Sequence, residues 1–134
     1  MIRAALRWVL ALFYAYAGYK HLVDPAPFLQ ITPDWVPFPQ EVVFWTGVAE
    51  LLGSLALLQP WSKRVRMAGG IGLALYALCV WPANINHMMM DMAQPDGGWG
   101  MAYHVPRMIA QPLIIWLALW VSGAVEWPFG KKRA

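Results

Sequence analysis

The chain has 134 residues, with ten Lys/Arg and seven Asp/Glu, so that 13% are charged and 60% hydrophobic. A soluble domain carries about 25% charge and about 45–50% apolar residues, and so short a chain cannot bury that apolar excess in one water-surrounded core. A soluble globular enzyme is therefore excluded, and the formal charge of +3 has to be read by position.

Four stretches, Trp8–Tyr19, Val42–Ser62, Met67–Met90 and Met108–Val125, cover 75 residues and contain one formal charge, Glu50. A membrane span takes about 20 residues at 1.5 Å rise. The pattern predicts an all-α integral membrane protein with one domain over 1–134, a four-transmembrane-helix bundle with helices at about 4–21, 41–59, 65–90 and 107–125.

The first segment competes with a cleaved signal peptide, because Arg3 and Arg7 precede an apolar run ending in Ala15-Tyr16-Ala17. Its crowding with Phe13, Tyr14, Tyr16 and Tyr19 favours a retained span, with Arg7 and Lys20 reaching towards the two interfaces. The connection that follows is stiffened by Pro25, Pro27, Pro33, Pro37 and Pro39 and is too apolar for a solvated loop. Asp24 before Pro25 reads as an N-cap with proline at the first helical position. The expectation is a short interfacial helix around Pro25–Gln30 in a Pro-rich outer segment, which acts as a lid over the bundle, as a Trp/Phe anchor at headgroup level, or as both.

In the second segment, Glu50 lies nine residues past Glu41, roughly 13 Å deep, where a carboxylate is costly and calls for a partner. Gly47, Glu50 and Ser54 share a helix face. Small residues at Gly47, Ala49, Gly53 and Ser54, and again at Ala68, Gly69, Gly70 and Gly72, allow close backbone approach. The third segment carries Asn84 about 27 Å along its axis, with His87 on the same face and Pro82 just below. A glycine-rich connection precedes the fourth segment, which is expected to open with Arg107 and to place Gln111 four residues further on the same face.

The cations sort by side. Arg3, Arg7, Lys63, Arg64, Arg66, Lys131, Lys132 and Arg133 fall on one side and only Lys20 and Arg107 on the other, which predicts both termini cytoplasmic, N-in/C-in. The basic balance is thereby topological; no basic stripe for a nucleic acid is present.

Lys20, His21, Asn84, His87, His104, Arg107 and Gln111 converge on the outer half above Glu50, and Trp35, Trp45 and Trp81 are placed to pack a ring. The bland reading of this constellation is an Arg107–Glu50 or Gln111–Glu50 contact stapling the second and fourth helices. Such contacts average only about 0.6 kcal/mol, a weak return for burying Glu50, so a binding site is preferred.

Ala17-Gly18-Tyr19-Lys20-His21 followed by Pro25, then Gly47-Val48-Ala49-Glu50, then Pro82-Ala83-Asn84, then Arg107 with Gln111-Pro112, resembles the DoxX-like family of small four-helix bacterial membrane proteins over nearly the whole chain. The resemblance implies a multi-pass protein of the bacterial cytoplasmic (inner) membrane, with His21, Glu50, Asn84, Arg107 and Gln111 as its motif positions. Some members are linked to quinone-dependent redox systems and others to maturation of partner proteins. Lys20 before His21 and the run Met88–Met92 depart from the family's usual pattern.

Three functions follow as expectations. The first is a lipophilic ligand, a quinone, in the outer pocket of an accessory subunit of an oxidoreductase. Its ligand-binding residues are Glu50, Asn84, Arg107, Gln111, His21, Lys20, His87, Trp35, Trp45 and Trp81, and Glu50 or His21 exchanges a proton; the chain is not a catalyst on its own. The second is a non-catalytic assembly partner of another membrane protein, with Trp35 and Gly72 at the docking face, or a homo-oligomer. The third and least favoured is copper(I) handling by His87, Met88, Met90, Met92 and His104, since thioethers suit Cu(I). No haem, flavin or iron–sulfur site is expected, given the single Cys79 and the absence of a dinucleotide fingerprint.

Overall fold

A computed structural model describes residues 1–130 as entirely helical: α1 (Ile2–Val23), α2 (Ala26–Ile31), α3 (Pro39–Leu58), α4 (Lys63–Met92) and α5 (Met101–Ser122). The expected cations Lys131, Lys132 and Arg133 lie outside the described residues. Helices α3, α4 and α5 are each long and apolar enough to cross a membrane. Helix α1 has the length, at 22 residues, but its arginines and tyrosines make it less apolar.

The helix ends follow from local chemistry. Asp24 closes α1, its backbone N–H donating to the Lys20 carbonyl at 2.9 Å and its carboxylate pairing with Lys20 Nζ at 3.4 Å. It does not cap α2, whose N-cap is Pro25 with no side-chain bond; the expected role is corrected, because the Asp24 carboxylate is turned back to Lys20. Phe38 adopts a left-handed conformation (φ 48°) immediately before Pro39 opens α3. At the start of α4, the Ser62 hydroxyl accepts from the Val65 N–H at 3.2 Å, a serine N-cap.

Helix α5 begins at Met101, not near Arg107. Pro106 removes a single backbone hydrogen bond beyond the first turn, which this helix accommodates, so Arg107 stands nearly two turns inside it. Its end also moves, from the expected 125 to Ser122, because Gly123 (φ 88°) takes the left-handed position and turns its N–H back onto Leu119 and Trp120.

The four long helices form a ring in the order α1, α3, α4, α5, with α5 returning to α1, while α2 lies against α3 and α4. The α1–α3 crossing is close because Gly18 and Gly47 face each other: a Cβ built on Gly47 would stand 2.6 Å from His21 Cβ and 3.1 Å from the Gly18 carbonyl oxygen. Nearer the chain ends, Leu10, Ala11, Tyr14, Leu57, Leu73 and Val121 belong to one packed core. Ser54 Oγ donates to the Ala11 carbonyl at 2.7 Å, tying α3 to α1 there.

That end also gathers cations. Arg3 donates to the Trp120 carbonyl at 2.7 Å and pairs with Glu126 at 2.9 Å, and both Arg3 and Lys63 lie beside Gly123. Large apolar side chains on the outward faces of all four long helices are exposed, among them Leu12, Leu52, Leu75 and Leu113. On a water-soluble bundle those faces would be polar; here they suit contact with lipid.

Candidate functional site

The half of the bundle beneath α2 is not filled. A cavity of about 540 Å³ lies among all five helices, walled by Phe13, Tyr14, Phe28, Ile31, Trp35, Val36, Tyr76, Cys79 and Ile114, with His21, Glu50, Asn84, Arg107 and Gln111 also on its walls. Its size falls in the usual range of small-molecule sites, and so does its character, an apolar surface interrupted by a few converging polar groups.

One polar group of residues belongs to α1 and α3. The close glycine crossing brings His21 Nδ1 to 2.9 Å from Glu50 Oε2. The same nitrogen lies 2.8 Å from the Ala17 carbonyl oxygen, an acceptor that takes the Nδ1–H. Glu50 Oε2 is consequently left with no hydrogen-bond donor aligned on it, although the residue is only 3% exposed. His21 is held in place from its other side by Phe28 of α2, stacked at 3.7 Å between ring centres with 19° between planes.

The second group bridges α4 and α5. Arg107 Nη2 donates to Asn84 Oδ1 at 2.6 Å, Asn84 Nδ2 donates to Gln111 Oε1 at 3.3 Å, and Gln111 Nε2 donates to the Ala77 carbonyl at 2.6 Å. Ala77 is the neighbour of Leu78, the residue whose carbonyl loses its helical donor to Pro82, so Gln111 supplies a donor where the proline disturbs the ladder. Arg107 Nη1 donates to His87 Nδ1 at 3.1 Å, and the guanidinium also lies over the Tyr103 ring, 4.9 Å from its centre. Among the described residues no carboxylate pairs with Arg107. The Arg107–Glu50 and Gln111–Glu50 staples considered from sequence do not form: Glu50 stands beside His21, while Arg107 is held by neutral acceptors.

The remaining expected residues are distributed as follows. Trp35 is 72% exposed yet borders the cavity, which puts it at the mouth. Trp45, 63% exposed, faces outward from α3 and does not border the cavity, and Lys20 is turned to Asp24. Trp81 is off the cavity wall, its buried indole N–H without an acceptor. Sequence reasoning passed over Tyr14, Phe28, Tyr76 and Cys79, all cavity-lining. Only the α1–α4 and α1–α2 packing, which no local pattern reveals, places them there.

It also passed over Asp91, which accepts from His104 Nε2 at 2.7 Å and from the Trp99 backbone N–H at 3.0 Å, with His87 Nε2 at 3.6 Å. The spacing of His87 and Asp91, four apart on one helix, was a readable signal. His87, Asp91 and His104 are close enough to ligate one metal ion, and the third group beside the two imidazoles is thus a carboxylate; Met89, Met90 and Met92 are exposed. The polarity is unfavourable to a metal, however. A ligating imidazole presents one nitrogen lone pair and donates its other N–H. Here His87 Nδ1 receives a proton donor, and His104 Nδ1 is buried with no partner at all. Both rings are set to carry their protons on Nε2, towards Asp91.

The family model described as a domain of unknown function, DUF8561, matches residues 10–122. No curated protein and no solved structure matches the chain.

Proposed function

The chain belongs to the DUF8561 family of domains of unknown function, and from its cavity we propose that it is a four-span protein of the bacterial cytoplasmic membrane that binds a lipophilic, ring-bearing ligand of the quinone class. In this reading α1 is the fourth span, both termini are cytoplasmic, and the cavity opens under α2 in the outer half. The chain serves as an accessory subunit of a redox system, its partner holding the redox centre. The motif positions behind the DoxX-like resemblance, His21, Glu50, Asn84, Arg107 and Gln111, support the reading, since all five border the cavity.

The observation that carries the proposal is a mismatch of unspent polar groups on an apolar cavity. Glu50 keeps a buried carboxylate oxygen, Oε2, with no aligned hydrogen-bond donor at the cavity wall, and among the described residues Arg107 has no carboxylate partner. Buried polar groups left unpaired are costly. The quinol form of such a ligand satisfies both, one hydroxyl donating to Glu50 and the oxygen of the other accepting from Arg107, whereas the quinone, with acceptors only, satisfies Arg107 alone. Phe28, Trp35 and Tyr76 supply flat surface for the ring, and the Glu50–His21 pair can take up the proton of the hydroxyl facing it when a partner removes one electron from the quinol.

Two measurements test this. Organic extraction of protein purified in native-lipid particles should release a quinone in near-stoichiometric amount. In refilled nanodiscs, decylubiquinone and decylubiquinol should both bind saturably. Glu50→Gln, which replaces one carboxylate oxygen with an N–H donor and leaves only a neutral amide acceptor, should weaken the quinol about fivefold or more relative to the quinone, since a hydrogen bond to a charged group is worth about 1.5–3 kcal/mol and one to a neutral group about 0.5–1.5 kcal/mol. Absence of any saturable binding, or an E50Q variant that treats both forms as the wild type does, overturns the proposal.

A further inference from the structure

We infer that His87 is a positioning residue for Arg107, held in one tautomer by Asp91, and that its protonation disengages the guanidinium and weakens the pocket. This inference rests on the ligand reading above and adds its regulation. A guanidinium has donors only and cannot be deprotonated in a protein, so the 3.1 Å contact between Arg107 Nη1 and His87 Nδ1 requires a lone pair on Nδ1. The ring proton must then sit on Nε2, the nitrogen that faces Asp91 Oδ2 at 3.6 Å.

Asp91 is itself fixed in place. It is buried, accepts from His104 Nε2 and the Trp99 N–H, and lies under the backbone of Gly98, whose left-handed φ of 57° leaves no room for a side chain against the carboxylate. The turn 97–100 thus clamps Asp91, Asp91 orients His87, and His87 together with Asn84 Oδ1 orients Arg107. His87 does not border the cavity whereas Arg107 does, so its action on a ligand runs through Arg107.

The groups facing His87 are Asp91 from its own helix α4, and Arg107, His104 and Tyr103 from α5, with ring-centre distances of 5.0 Å to His104 and 6.1 Å to Tyr103. A proton added at Nδ1 converts the acceptor for Arg107 into a donor and sets a positive charge against the guanidinium. Asp91 gains from that charge, and the Arg107 contact cannot survive it. Arg107 keeps Asn84 but loses its second anchor, and a ligand must order it again on binding. His87 stands at the α2 end of the long helix α4, where the proposed orientation puts it within reach of protons from outside the membrane.

The test uses full-length protein in nanodiscs. Nitrogen-15 NMR of labelled histidines, with the His87 signal identified by its loss in His87→Gln, should find at pH 7.5 a neutral ring protonated on Nε2, and Arg107→Ala should weaken that tautomer preference while Asp91 continues to support it. Binding of decylubiquinone, followed by tryptophan quenching with lipid partition subtracted, should weaken on acidification. One pH unit below the His87 midpoint read by NMR only about a tenth of the rings are neutral, so apparent affinity should fall severalfold, by up to about tenfold where the protonated form does not bind. His87→Gln, whose amide can accept from Arg107 without titrating, should lose that limb of the profile while regaining at pH 7.5 most of the affinity lost in His87→Phe. A ring protonated on Nδ1, or an acid limb unchanged in H87Q, overturns the inference. If decylubiquinone does not bind at all, the pocket reading fails, and the response of the His87 tautomer to R107A still decides the positioning contact by itself.

Discussion

Gly47→Ala is the sharpest test of how the polar half of the bundle is assembled. The added Cβ would stand 2.6 Å from His21 Cβ and 3.1 Å from the Gly18 carbonyl oxygen. Carbon atoms pack at about 3.5–4.0 Å, and neither contact is the far end of a flexible side chain, so α1 has to retreat by roughly 1 Å at the crossing. Overpacking of this kind costs about 1–3 kcal/mol, partly offset by the gain of about 0.5–1 kcal/mol for replacing glycine within a helix. A net loss of about 0–2.5 kcal/mol is therefore expected, against a gain of about 0.5–1 kcal/mol where no clash opposes it. The 2.9 Å separation of His21 and Glu50 would open by a similar distance and weaken quinone binding. Unfolding by SDS titration in mixed micelles, read by tryptophan fluorescence, measures the first effect. Gly72→Ala provides the comparison, because its Cβ would meet nothing within 4 Å and only the helix gain remains. If G47A proves as stable as G72A, α1 and α3 are not in contact at Gly18 and Gly47, and the account of why His21 stands beside Glu50 fails with it.

Ser54→Ala removes the 2.7 Å bond to the Ala11 carbonyl, and the same SDS titration should find a loss of about 0.6 kcal/mol, the average for interhelical polar contacts in membranes; a loss above about 2 kcal/mol would point to a polar network larger than this one bond. Cys79 borders the cavity, so saturating decylubiquinone should slow its alkylation by N-ethylmaleimide severalfold, and an unchanged rate alongside saturable binding would put the ligand elsewhere. Arg3, by donating to Glu126, holds that carboxyl below its ordinary value. A depressed folded-state pKa contributes stability above the unfolded value of 4.5 that is lost as pH falls through the folded one. The difference in thermal stability between wild type and Glu126→Gln should accordingly be present at pH 7 and shrink as the pH is lowered below 4.5; a difference that grows on acidification would show that the Arg3–Glu126 pair does not form.

Position along a helix follows from residue count alone, and five of the polar residues singled out in the sequence, His21, Glu50, Asn84, Arg107 and Gln111, border one cavity. Azimuth was less legible. Trp45 and Trp81 lie at suitable heights, yet Trp45 faces outward and neither borders the cavity, since for an aromatic residue on an apolar helix no periodicity distinguishes a lipid-facing position from an interior one. The start of α5 was misplaced for a different reason: Pro106, the sixth residue of the helix, removes only one backbone hydrogen bond, and the packing of α5 on α4 carries the helix through it. The pairing of Glu50 with His21 was concealed more deeply. It depends on two glycines 29 positions apart in the chain, each visible as a small residue and neither carrying any mark of its partner.

The two halves of the bundle divide the work of stability and binding. Near the termini Leu10, Leu57, Leu73 and Val121 fill the interior, and Arg3 is satisfied by the Trp120 carbonyl and Glu126. Towards α2 the polar groups are arranged differently: Asp91 is surrounded by donors from His104 and Trp99, whereas among the described residues Glu50 Oε2 lacks an aligned donor and Arg107 a carboxylate partner. Selection for stability alone would favour joining Glu50 to Arg107 or replacing both with apolar groups, since a buried ion pair seldom outperforms well-packed hydrophobic side chains. Keeping them apart across a cavity, each fixed by a neutral neighbour, leaves their interaction energy available to whatever enters. That separation, more than the presence of either charge, distinguishes a binding site from a helix staple.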